Sequence, residues 1–137
     1  MGAPEAAPQG RGAGHTAAST SAVGSDNLEL RERVRRLNGG LGPTLVSALS
    51  GAADSQHARS WAKGASTPDT KAAQRIHAGY VVWRKVVEAE GEVVARAWFV
   101  GANPWLGGDS PVNALRLGQF DQVEIAAKAL TEDAFSG

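Results

Sequence analysis

The sequence contains no cysteine. Disulfides, thiolate metal sites and a cysteine nucleophile are therefore excluded, and a reducing, cytoplasmic setting is the expected location. Long apolar runs are also missing. Tyr80 to Trp83 is far too short to span a membrane. No apolar core of a secretory signal is present near the start, and Ala6 stands where a myristoylation motif requires Ser or Thr. No segment alternates apolar and polar residues in period two, so no sheet is expected.

Aromatics and large aliphatics are missing from one end. Residues 1–26 hold no aromatic residue and one large aliphatic, Val23, among Gly, Ala, Ser, Thr and Pro. Such a stretch cannot bury enough apolar surface to offset its ordering entropy, so it is expected to be a disordered tail. The remaining 27–137 is long enough for one all-α helical bundle.

The chain is neutral overall, but its charge is unevenly placed. Residues 27–85 carry ten Arg or Lys against four acids, while 86–137 carry three against eight. A basic half suits a polyanion and an acidic half would be repelled by one, although drift between solvated helix faces gives the same imbalance.

Glycine and proline punctuate the helical pattern. Leu30, Val34 and Leu37 predict a helix over 27–38, ended by Gly39-Gly40. Pro43 opens a short helix over 43–50 with Leu45, Val46 and Leu49 inward, stopped at Gly51. A third helix is expected at 55–63, capped by Asp54 or Ser55 and ended by Gly64, with Ala58 and Trp61 inward. Thr67 as N-cap and Pro68 at the first helical position predict a long helix over 68–90, with Ile76, Tyr80, Trp83 and Val87 as its apolar stripe. Gly91 interrupts it. A helix over 92–100 then carries apolar Val93, Val94, Ala97 and Trp98. Asn103-Pro104 forces a turn, Ser110-Pro111 starts a helix over 111–117, and a final helix covers 121–131 with Val123, Ala126, Ala127 and Leu130 inward.

The second and third helices have the size and connection of a helix-turn-helix, which makes 27–67 a candidate DNA-binding region. The face predicted outward on the third helix carries Gln56, His57, Arg59, Ser60 and Lys63. Gln and Arg can read base edges bidentately, whereas Lys and Ser suit phosphates. The tract from Trp61 to Gly64, followed by Pro68, resembles the end of the recognition helix in Xre-type repressors. Ala58 stands where such motifs usually hold a larger aliphatic. The same geometry also serves as a bare scaffold and dimer surface in helical proteins that never touch DNA.

Residues 68–137 form the second region, the long helix plus a C-terminal module. Within it, 98–123 reads WFVGANPWLGGDSPVNALRLGQFDQV. Asn103-Pro104 sets the exit angle, and Gly107-Gly108 lets the backbone approach closely or turn through positive φ. Trp98, Pro111 and Leu115 are expected to hold the fold. Trp105 either lies at a partner surface, where Trp is enriched, or tucks beneath the loop. The candidate partner surface is Asn103, Pro104, Trp105, Leu106, Gly107, Gly108, Asp109, Ser110 and Pro111.

The order Trp98, Asn103-Pro104, Leu106-Gly107-Gly108, Pro111, Leu115, Gly118 and Val123 resembles the toxin-binding domain of Xre/MbcA/ParS-type antitoxins. That resemblance implies an antitoxin of a type II toxin–antitoxin system, expressed beside a RES-type toxin that depletes NAD. It implies binding and neutralisation of that toxin, repression of the shared operon through operator DNA, and a homodimer. The segment from Ser110 onward would block the toxin's active site.

Catalytic constellations are not expected. His15, His57 and His77 are scattered, with no carboxylate at metal-ligand spacing, so no metal and no cofactor is predicted. Ser110 lacks a nucleophile-elbow context. The glycine-rich stretch Asn38 to Gly42 follows no strand and lacks the Lys-Ser/Thr of a phosphate loop. A binding protein is therefore expected rather than an enzyme. The alternatives are a stand-alone transcription regulator whose C-terminal half dimerises, and an adaptor with a decayed helix-turn-helix.

Overall fold

Proline starts and glycine stops set most of the helix boundaries, as a computed structural model describing the backbone of residues 14–136 and the side chains of 27–132 makes visible. Among the described residues the regular structure is helical throughout, with no strand. The helices are α1 (Gly14–Gly40), α2 (Pro43–Ser50), α3 (Ser55–Lys63), α4 (Thr70–Glu90), α5 (Glu92–Val100), α6 (Pro111–Arg116) and α7 (Phe120–Ser136). A single 3-10 turn, Pro104–Leu106, sits between α5 and α6. No described helix is long and apolar enough to cross a membrane.

The chain divides into two units, 1–30 and 31–137. In the first, α1 begins at Gly14, thirteen residues before the start expected from apolar spacing. Residues 14–26, taken from composition as tail, are thus helical in their backbone. Once a helix is nucleated, each added residue needs no new nucleus, and alanines at 17, 18 and 22 favour propagation. Residues 1–13 of the expected tail lie outside the described residues.

In the second unit α4 is the central element, packing against α2, α5, α6 and α7. Its stripe is buried at Ile76, Tyr80, Val82, Trp83 and Val86, while Val87 at its edge is half-buried. Gly79 marks where three helices meet, since a Cβ there would lie 3.4–3.5 Å from the side chains of Leu49 in α2 and Leu115 in α6. Val34 and Leu37 of α1, Val46 and Leu49 of α2, and Val123, Ala126 and Ala127 of α7 complete the interior. Leu45 and Leu130, expected inward, are half-buried.

Two sequence expectations need correction. The long helix starts at Thr70, not at Pro68, and its cap is Asp69, whose carboxylate accepts from the Ala72 amide at 2.8 Å. Asp caps as well as Thr, and its use leaves Pro68 before the helix. The second correction concerns α5. Gly91, at φ 87°, breaks the helix, so α5 restarts with its own rotational phase. It turns Ala95 and Phe99 inward, while Val93 and Val94 are exposed. Phe99, rather than Trp98, is the fully enclosed aromatic, with its ring edge-on to Trp83 at 5.8 Å. Trp98 is half-buried and packs edge-on against Phe99 at 5.2 Å.

Candidate functional site

Two surfaces carry the candidate residues. On α3, Asp54 caps the helix through a hydrogen bond from the Gln56 amide at 2.9 Å. Ala58 and Trp61 are buried, and this fixes which way the helix faces. At about 100° per residue, Gln56, Arg59 and Lys63 share the opposite side as one exposed stripe. Arg59 donates to the Ser55 hydroxyl at 3.0 Å.

The other two predicted contacts stand apart from this stripe. The Ser60 hydroxyl is hydrogen-bonded to that of Ser66 at 2.7 Å. His57 leans toward the core side, edge-on to Trp61 at 5.9 Å and 3.7 Å from the Asp54 carboxylate. It lines a cleft of about 480 Å³ shared with Trp61, Lys71 and Arg75.

What holds α3 was not apparent from its own sequence. The Ala58 amide, in the first turn of the helix, donates to the buried Ser47 hydroxyl of α2 at 3.1 Å. The Ala58 carbonyl accepts from the Asn38 side chain of α1 at 3.1 Å. Asn38 Oδ1 is itself buried without a partner. Arg75 of α4 reaches back to the Ser50 carbonyl at 3.0 Å and ties down the turn between α2 and α3. The small residue at 58 thus has a reason: α2 approaches closely enough for a serine to bond its backbone. No sequence spacing points from 47 to 58 or from 75 to 50. Arg36, on α1, is pushed above its ordinary pKa by its hydrogen bond to the Tyr80 hydroxyl and then by Glu32.

The second surface is the loop from Asn103 to Pro111. Asn103 is buried, and its side chain accepts from the Trp105 amide at 2.9 Å as the cap of the 3-10 turn. The Asn103 amide donates to the Asp109 carbonyl at 3.0 Å, and its carbonyl accepts from the Gly108 amide at 2.9 Å. Gly107 and Gly108 have φ of 67° and 88°, a left-handed pair that returns the chain. That geometry is costly for any residue with a Cβ. Ser110 caps α6 through the Asn113 amide at 3.1 Å, and the Asp109 carboxylate accepts from the Asn113 side chain at 2.6 Å. Arg116 donates to the Asn113 side-chain oxygen, Oδ1, at 2.9 Å and extends this chain of bonds.

This scaffold sorts the nine residues predicted to meet a partner. Asn103 and Pro111 are buried, so they build the loop and are not available to a partner. Leu106, Asp109 and Ser110 are half-buried. Pro104, Trp105, Gly107 and Gly108 are exposed, and Trp105 presents 60% of its surface. The turn therefore holds a large apolar ring out in solvent on a backbone with few degrees of freedom. Among the described residues, no group of three or more His, Asp or Glu is placed to hold a metal. No protein-family model, curated protein or solved structure matches the chain significantly.

Proposed function

We propose that this protein is an antitoxin that binds and neutralises a RES-domain, NAD-degrading toxin in the cytoplasm and represses its own operon. The observation that carries the proposal is the ordered set from Trp98 to Val123, which resembles the toxin-binding domain of Xre/MbcA/ParS-type antitoxins. Its physical counterpart is the exposure of Trp105 on a loop closed by Asn103 and Asp109. Rigid exposed tryptophans bind partners well because little side-chain entropy is lost when they dock. In this arrangement Trp105, Pro104 and the Gly107-Gly108 bend meet the toxin, and Asn103 and Pro111 hold them in place.

The pair α2 and α3 serves as the helix-turn-helix of a homodimer that reads operator DNA. The exposed stripe of Gln56, Arg59 and Lys63 supports this role, with Ser60 at its margin and His57 turned away. A stand-alone transcription regulator is the second reading, and the same stripe favours it. The neighbouring reading frame separates the two: a RES-type toxin gene beside this one supports the antitoxin, and its absence supports the regulator. Co-expression is the functional test. The toxin alone should arrest growth, and growth should return when this protein is made with it. Persistent arrest at equal expression would overturn the proposal.

A further inference from the structure

We propose that the outward side of α5 is the interface between two copies of this chain, packed antiparallel about a twofold axis beside Ala97. This inference rests on α5 alone and stands whether or not the protein neutralises a toxin.

The helix buries Ala95 and Phe99 and leaves a broad apolar face uncovered. Val93 is 73% exposed, Val94 41% and Val100 52%, and Ala97 is exposed between them. Residues 93, 97 and 100 follow the i, i+4, i+7 spacing, and 94, 98 and 101 repeat it one step around. The two stripes make one continuous face with no charge on it. The helix's own charges, Glu92 and Arg96, pair with each other at 3.4 Å on the flank. The three valines alone offer on the order of 250 Å² of contiguous exposed surface in the middle of this charge-free face. A standard interface takes roughly 800 Å² from each partner, somewhat over half of it apolar. Ala97 and the half-buried Trp98 extend the valine patch, which forms the apolar centre of such an interface rather than the whole of it.

A second copy is the occupant that the pattern itself describes. An isologous contact must match its own reversal. Reversal about Ala97 sets Ala97 on the partner's Ala97, Val94 opposite the partner's Val100, and Val93 opposite the partner's Gly101. Large residues then meet large at one position, and the most exposed valine meets a residue with no side chain at the other. Alanine at the crossing point lets the axes approach to roughly 8 Å. Antiparallel packing also opposes the two helix dipoles favourably and keeps the acidic approaches at Glu90 and Glu92 at opposite ends of the interface.

Sedimentation of the full chain tests this. The wild type should sediment as a dimer, and Ala97→Glu should be monomeric with unchanged far-ultraviolet circular dichroism. Because the chain has no cysteine, Ala97→Cys adds a second readout. Facing Cα atoms at a close helix crossing lie within disulfide reach. Mild oxidation should therefore link Ala97→Cys rapidly and almost completely, and Val81→Cys, on exposed α4 surface, much more slowly. A monomeric wild type, a dimeric Ala97→Glu, or cross-linking of Ala97→Cys no faster than of Val81→Cys would overturn the proposal. If Ala97→Glu fails to fold, the relative cross-linking rates decide.

Discussion

The main-chain amide of Asn103 donates to the carbonyl oxygen of Asp109 at 3.0 Å, tying together the two ends of the loop that carries Trp105. The Asn103 side chain then reaches forward to the Trp105 amide at 2.9 Å. One buried asparagine thereby fixes both where the loop closes and where its tryptophan begins.

Stability and binding should separate at Trp105. Its ring is mostly in solvent, so Trp105→Ala should change unfolding free energy by less than about 1 kcal/mol, the usual range for surface sites. Toxin binding should weaken by at least about 2 kcal/mol, roughly thirtyfold, as for a tryptophan hot spot. Denaturant titration and calorimetric binding measure the two. A stability loss equal to the binding loss would show that the ring serves the fold.

The glycine pair should behave in the opposite way. A Cβ at Gly107 or Gly108 would meet nothing within 4 Å, so neither glycine is required for space. The cost of Gly107→Ala or Gly108→Ala is that of a left-handed backbone, roughly 1–2 kcal/mol each. Thermal unfolding should register this loss. Asn is the least damaging replacement, because its side chain tolerates that region.

Ser47 predicts a loss transmitted between helices. Ser47→Ala removes the acceptor of the Ala58 amide and leaves a buried N–H unpaired, costing about 1–3 kcal/mol. Because that bond positions α3, operator binding should fall along with stability. Equilibrium unfolding and a DNA titration on the same sample measure both effects.

DNA binding should depend on Lys63 through salt. Lys63→Ala should weaken operator binding uniformly across sequences and reduce the slope of log affinity against log salt by about one. Gln56→Ala should instead relax base preference at one position. If Lys63→Ala leaves affinity and slope unchanged, the α3 face is not the DNA surface.

Legibility from sequence followed the range of the interactions. Caps and stops act over three or four residues, so Gly51, Gly64, Ser110 and Gly118 could be read directly and the α3 cap narrowed to Asp54 or Ser55. The α4 stripe was legible because 21 residues sample every face several times. The nine-residue α5 was not. Val93, Val94, Ala97 and Trp98 stand out as its apolar residues but define no inner face, because its phase is set by the glycine break and by packing on α4 and α6. Exposure of Trp105 remained open because a proline turn and a double glycine permit either direction. The bonds from Ser47 to Ala58 and from Arg75 to Ser50 join residues on different helices and leave no periodic trace. Asn103 resembled a turn residue, and its burial followed only from the closure at Asp109.

Hydrolysis of NAD by the purified RES toxin, followed as this protein is titrated in, probes the proposed activity at its source. Activity should fall linearly to near zero at a fixed molar ratio, and Trp105→Ala should shift the curve to higher protein. Undiminished NAD loss in the presence of excess folded wild-type protein would contradict the antitoxin assignment.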